Sequence, residues 1–216
     1  MNPHAVTREF ESALCAYTGA QFAVTVNSCT MALLLAVRWH ILKAQRDAPT
    51  LVFVEIPKRT YVGVPAAIIH AGGMPTFRDE DWSGSYQLKP LPVWDCARWF
   101  SSGMYRGETH QGVKRWNEGT MACVSFHASK TLGDTQGGAI LHDNAEADAW
   151  LRRARFDGRA EGVAPKDDKF TFAGWHCYMS PDVAARLLWK LSVLPKHNDP
   201  LPNDDYPDLS LHEAFR

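Results

Sequence analysis

The sequence predicts an α/β fold with a mostly parallel central sheet flanked by helices. Short apolar runs alternate with longer helix-period segments, glycines or prolines punctuate them, and several runs are apolar throughout, as in strands covered on both faces. Residues 6–18 carry Phe10, Leu14 and Tyr17 at helical spacing, with Gly19 as a stop. Residues 22–26 suit a short strand. Asn27-Ser28-Cys29-Thr30 then opens an apolar helix over 31–44, capped by Ser28 or Thr30. The run 51–56, ended by Pro57, is expected to be a strand buried on both faces. A helix over 62–71 closes at Gly72-Gly73, and 74–77 is the next strand. Runs at 91–94, 121–126 and 139–142 supply three more strands, 145–155 a helix, and 181–194 an amphipathic helix. Ligands in such sheets sit at the carboxyl ends of the strands.

Composition narrows the function. The 216 residues are 45% hydrophobic and 22% charged, enough for one sizeable core, and the net charge of −1 gives no field to recruit nucleic acid or membrane. No apolar stretch approaches a membrane span, and Met1-Asn2-Pro3-His4 lacks a signal-peptide pattern, so a cytoplasmic protein (host cytoplasm if phage-encoded) is expected. Five cysteines without paired spacing suit reduced thiols. Nine scattered histidines, with no HxH or HExxH, imply no metal.

Two residues carry the chemistry. The run 121–126 delivers Lys130 into a loop that ends in Gln136-Gly137-Gly138, and a second run ends on Asp95, 35 residues earlier. A lysine that forms an imine and a carboxylate that keeps a ring nitrogen protonated are what pyridoxal 5′-phosphate (PLP) asks of its protein. An exposed loop lysine and an ordinary strand-end aspartate fit the same residues. Asn27-Ser28-Cys29-Thr30, between strand and helix, offers N–H groups and hydroxyls to an anion, or simply caps the helix. No GxxxxGK[ST] or GxGxxG is present, so neither a P-loop nor a Rossmann fingerprint is supported.

Seven collinear blocks resemble the DegT/DnrJ/StrS-type family of PLP-dependent sugar aminotransferases. They are Phe10-Glu11 through Ala32-Leu33, Ile56-Pro57 with Thr60-Tyr61-Val62, Ala71-Gly72-Gly73-Met74-Pro75-Thr76-Phe77, Val93-Trp94-Asp95-Cys96-Ala97, Ser125-Phe126-His127-Ala128-Ser129-Lys130, Gln136-Gly137-Gly138-Ala139 and Gly174-Trp175-His176-Cys177-Tyr178-Met179-Ser180. The resemblance spans roughly residues 8–190. It implies the fold-type I large domain, with residues 1–194 as the PLP-binding unit. Lys130 would be the Schiff-base lysine and proton carrier, and Asp95 the partner of the pyridinium nitrogen. Tyr61 would stack on the ring, and Ser28, Cys29, Thr30 and Ser125 would hold the phosphate. It also implies a homodimer with the site at the interface, where the His176 segment reaches into the partner's site.

Departures from the family pattern are informative. Cys29 stands where the family has Gly, His176 where it has Asn, and Tyr178 where it has Arg. Arg98 replaces a Gln, placing a cation where it would bind the cofactor's phenolic oxygen or a substrate acid. The chain stops where the family's small C-terminal domain is expected. Residues 195–216 carry four prolines and five acidic residues against Lys196 and Arg216, as a tail or a strap over a partner would. An open site suits a bulky, nucleotide-linked or macromolecule-attached substrate. Arg152, Arg153, Arg155 and Arg159 offer either contacts to DNA phosphates or a solvated helix face. Three functions remain: aminotransfer to a keto-sugar, decarboxylation of an amino acid carried on a nucleotide or DNA base (phage-type DNA hypermodification), or a degenerate non-enzymatic dimeric relative.

Overall fold

In the computed structural model, residues 4–46, 50–106, 116 and 119–215 are described; residues 1–3, where no leader pattern is read, lie outside them. The elements follow in the order α1 (Ala5–Thr18), β1 (Phe22–Val26), α2 (Cys29–Ala44), β2 (Phe53–Pro57), α3 (Gly63–His70), β3 (Met74–Arg78), β4 (Tyr86–Leu88), β5 (Val93–Asp95), β6 (Met121–Ser125), β7 (Gly138–His142), α4 (Ala145–Ala154) and α5 (Pro181–Ser192). Gly19 closes α1 in the left-handed conformation, φ 84°, with its N–H on the Cys15 carbonyl. Ser28 caps α2, its hydroxyl accepting from the Met31 N–H at 3.2 Å.

Five strands form one sheet in the order β1-β7-β6-β5-β4, and β2 and β3 pair separately. A two-way backbone exchange between Glu55 and Lys89, at 2.7 and 3.0 Å, links β2 to the end of β4. β5 and β6 run parallel, as do β2 and β3, whereas β7 runs antiparallel to both β1 and β6 and β4 antiparallel to β5. Following these pairings through, five strands point one way among the described residues, and only β4 and β7 are reversed. The sheet is mostly parallel in direction. Its hydrogen-bonded neighbours are mixed because the reversed strands lie between the others.

Alternation along the strands divides the core into two layers. Met121 and Cys123 pack with α2, α3 and α4 on one face, while Ala122 and Val124 pack with α1 and α5 on the other. Leu33, Leu34, Leu35, Val37 and Ile41 of α2 are each at most 3% exposed. Burying each such side chain contributes about 1.5–3 kcal/mol, so this helix is the main apolar cover of the face nearest the site.

β2 departs from the sequence expectation. Val54 and Ile56 are fully buried, but Leu51 and Phe53 are 56% and 55% exposed. β2 belongs to the outlying two-stranded sheet, where only alternate residues meet the core. The segment after α5 lies across its own chain. Tyr17 Oη and Ser102 N donate to the carbonyls of Pro195 and Lys196 at 2.6 and 2.8 Å. Leu201 N donates to Arg98 O at 2.8 Å, and Leu209, 2% exposed, donates its N–H to Lys58 O at 2.8 Å. Among the described residues no helix is long and apolar enough to cross a membrane.

Candidate active site

β1, β5 and β6 end at one edge of the sheet, where β4 and β7 begin. Asp95, the last residue of β5, is 5% exposed. Its Oδ1 accepts from Ala97 N at 2.8 Å and its Oδ2 from the Tyr86 hydroxyl at 3.0 Å. Tyr86 Oη lies 2.6 Å from Thr60 Oγ1. Burial pushes the Asp95 pKa up, against the pull of these two hydrogen bonds and of the Lys130 charge. A buried carboxylate so placed favours a cation beside it.

Lys130 sits in the loop after β6. Its N–H bonds the His127 carbonyl at 2.8 Å. The loop is tied down by Asp134, whose N–H bonds Phe126 O at 2.9 Å and whose carboxylate accepts from Arg186 Nε and Lys190 Nζ, each at 3.1 Å. Burial lowers the Lys130 pKa and the Arg98 charge lowers it further, while the charges of Asp95 and Asp204 oppose. The shift enlarges the neutral, nucleophilic fraction of the amine.

The third component is the start of α2. The first N–H groups of a helix lack intrahelical partners and face the positive end of its dipole. β7 begins against this turn: a Cβ at Gly138 would lie 2.6 Å from Cys29 N and from Ser28 C, so only glycine permits the approach. A Cβ at Gly63 would lie 2.7 Å from Tyr61 Cε1 and 2.8 Å from Thr30 Oγ1, which places the tyrosine ring beside the threonine hydroxyl. Burial, and after it Asp95, pushes the Cys29 thiol well above its ordinary pKa. Cys29 is therefore a neutral lining group.

A cavity of about 270 Å³ joins these parts. Ser28, Cys29, Thr30, Tyr61, Asp95, Arg98, Ser125 and Lys130, all singled out in the sequence, stand on its wall. His176 does not; its ring is exposed, 2.8 Å from Asp157 Oδ2 and against Tyr178. Sequence reasoning missed Tyr86, Trp82, Asp204 and Tyr206. Asp204 takes the Arg98 fork, with Nη1–Oδ2 at 2.8 Å and Nη2–Oδ1 at 3.3 Å, and the Tyr206 ring stacks on Trp82 at 6.2 Å. The sequence carried no specific signal for Asp204, which lies 106 residues from Arg98. Tyr86 had none beyond its position opposite Asp95.

The helical arginines are used within the fold. Arg155, 2% exposed, pairs with Glu11 and the Thr25 carbonyl. Arg152 pairs with Glu11 and Asp148, and Arg153 with Asp168. Arg159 lies over the Phe156 ring. They do not form the outward-facing patch that DNA phosphates would need.

A half-buried amine, a buried carboxylate and an anion-ready helix start thus meet at the carboxyl edge of an α/β sheet, an arrangement whose chemistry suits an aldehyde cofactor that carries a phosphate and a basic ring nitrogen. A family model matches residues 4–95 and 95–199, and the chain belongs to the DegT/DnrJ/EryC1/StrS aminotransferase family. An uncharacterized protein of Methanocaldococcus jannaschii is 26% identical over 185 residues, covering 70% of this chain and 46% of that protein. Among solved structures, AtS13 from Actinomadura melliaura has a TM-score of 0.67 at 23% identity, covering 88% of this chain and 60% of its own. NtdA from Bacillus subtilis with bound cofactor PMP has a TM-score of 0.64 at 18% identity, covering 88% and 48%. The chain thus spans about half to three fifths of the length of these three proteins.

Family membership makes pyridoxal 5′-phosphate the cofactor this cavity must accommodate, and the residues fit it. Asp95 offers a buried carboxylate to a protonated ring nitrogen, and the α2 start suits a phosphate. Arg98 Nε is buried without a hydrogen-bond partner among the described residues, a donor awaiting an acceptor.

Proposed function

We propose that the chain is the PLP-binding unit, residues 1–194 with 195–216 as its tail, of an enzyme resembling sugar aminotransferases. It acts through Lys130 on an amino or keto group of a bulky substrate, nucleotide-linked or attached to a macromolecule. The observation that carries this reading is that Lys130 and Asp95 stand on the wall of one cavity with the α2 start. When bound, the cofactor supplies the electron sink that makes an α-proton of an amino acid removable. The chain's residues do the rest. Asp95, steered by Tyr86 and the Ala97 amide, keeps the ring nitrogen protonated. Ser28, Cys29, Thr30 and Ser125 anchor the phosphate, and Tyr61 covers one face of the ring. Lys130 would hold the cofactor and, once its amine is released by the incoming substrate amine, would take up the α-proton and return it to carbon as a general base and then acid. Arg98 meets an anionic oxygen. His176 would serve a partner's site in a homodimer, and the site would work in the cytoplasm.

Incubation of the PLP-loaded protein with glutamate tests the reaction. Conversion to the pyridoxamine form supports amino transfer. The second reading, decarboxylation of a nucleotide- or DNA-borne amino acid, would be selected by carbon dioxide release without the pyridoxamine form. A degenerate, non-enzymatic relative would show neither, and the co-location of Lys130, Asp95 and Tyr61 argues against it.

A further inference from the structure

Arg98 is buried, and among the described residues the acid paired with its guanidinium comes from the chain's own C-terminal segment. The arginine side chain is 8% exposed whereas that of Asp204 is 64% exposed, so the carboxylate approaches from the solvent side and keeps much of its hydration. The pair is a fork held by both Nη atoms, the geometry by which arginine recognises any carboxylate. Arg98 and Asp204 both line the cavity that holds Lys130.

The segment that presents Asp204 is fastened at its two ends. Leu201 N bonds Arg98 O at 2.8 Å and Leu209 N bonds Lys58 O at 2.8 Å, with Leu209 buried. Asp208 adds an ion pair to Lys58 at 3.4 Å. Between these anchors the contacts to the body are side-chain ones: Asn203 Nδ2 on Trp82 O at 2.6 Å, the Asp204 fork, and Tyr206 on the Trp82 ring. Tyr206 Oη also donates to Asp204 Oδ2 at 3.2 Å, within the segment itself. Residues 202–207 can therefore lift while both anchors hold.

We propose that Arg98 is the carboxylate-recognition residue of this site and that Asp204 is its exchangeable occupant, displaced when a substrate carboxylate enters. The inference rests on the PLP-enzyme reading and names the chemical class one substrate must belong to, an amino or keto acid. Exchange costs little, because one carboxylate replaces another on the same fork. Arg98 is never left buried and unpaired, the state that would be expensive. Asp204 returns to water from a position already mostly in it. The segment thereby reports occupancy: it is closed over the cavity when Arg98 is held internally and lifted when a substrate acid holds it.

The test uses the PLP-loaded full chain and glutarate, a dicarboxylate without an amino group. Calorimetry compares the wild type with Asp204→Asn, Arg98→Gln and Arg98→Lys. Asp204→Asn keeps an amide oxygen as an acceptor for Arg98 but removes its counter-ion, so thermal melts of each variant are compared first, and Arg98→Lys keeps the cation should the neutral variant fail to fold. Removing the internal competitor should tighten glutarate binding about three- to tenfold. Arg98→Gln should abolish it, and Arg98→Lys should fall between wild type and loss, because an ammonium cannot form the fork. Hydrogen exchange at residues 202–207 should quicken in the wild type on adding glutarate. Unchanged or weaker binding by Asp204→Asn, or binding that survives in Arg98→Gln, overturns the proposal. Borohydride fixation of PLP to Lys130 is measured on the same samples. Protein that fixes the cofactor but shows no carboxylate competition overturns this inference alone, whereas protein that never fixes it overturns the parent reading.

Discussion

Tyr86 stands directly opposite Asp95 in the antiparallel β4–β5 pair and donates its hydroxyl to Asp95 Oδ2 at 3.0 Å. A second hydrogen-bonding group, Thr60 Oγ1, lies 2.6 Å from the same hydroxyl. The tyrosine therefore aims the carboxylate and helps it stay ionised despite burial. Tyr86→Phe leaves the ring's packing in place and removes the hydrogen bonds to Asp95 and to Thr60. A hydrogen bond to a charged group contributes about 1.5–3 kcal/mol, so cofactor affinity should fall roughly ten- to a hundredfold while the thermal midpoint changes little. Equilibrium titration of the purified variant with PLP measures this, and unchanged affinity would remove Tyr86 from the site.

The Lys130 amine should respond to its two charged neighbours in opposite directions. Arg98 lowers its pKa and Asp204 raises it. Without the Arg98 cation, in Arg98→Gln, the ammonium is better tolerated, so PLP capture should need a higher pH. Asp204→Asn should shift capture to a lower pH than the wild type. The pH dependence of the rate of PLP capture for the three proteins gives the ordering, and a reversed order would show that neither charge reaches the amine.

Asp134 should act through the loop that carries Lys130. Asp134→Asn gives up the charge that binds Arg186 and Lys190, at a cost of about 1–3 kcal/mol. The Arg186 guanidinium holds the Asp134 carboxyl well below the ordinary aspartate range. A depressed carboxyl pKa stabilises the fold at pH values above the unfolded-state pKa, and that stability is lost as pH falls through the folded-state one. Urea unfolding should therefore show the largest gap between wild type and variant near neutrality, narrowing on acidification below pH ~4. A gap independent of pH would mean that packing and not charge is at stake.

How far these features could be read from the chain depends on their length and on what they touch. α2 and β6 are legible because long apolar runs admit one placement, and Gly19 and Ser28 mark ends by backbone requirements that any context preserves. Of the eight cavity residues named from the sequence, Ser28, Cys29, Thr30, Asp95 and Lys130 stood out by their place at or after a strand end or a helix start, whereas Tyr61, Arg98 and Ser125 came from the family resemblance. β4 was not legible: three residues, Tyr86–Leu88, between polar Ser83-Gly84-Ser85 and Lys89-Pro90, carry no period. Nor was the path of residues 198–209. Its low hydrophobicity suggests a free tail, yet it is held by backbone bonds and by ion pairs with Arg98 and Lys58, partners more than 100 residues away in sequence. Phe53 misled in the other direction, because an apolar run says nothing of how far from the sheet's centre its strand will lie.

The central claim is that Lys130 is the residue that holds the cofactor. Borohydride reduction of the PLP-incubated wild-type protein, followed by peptide mass spectrometry, tests it most directly. The account predicts one reduced phosphopyridoxyl adduct, on Lys130, absent from Lys130→Ala. An unmodified wild-type protein, or an adduct on another lysine that persists in Lys130→Ala, would contradict it.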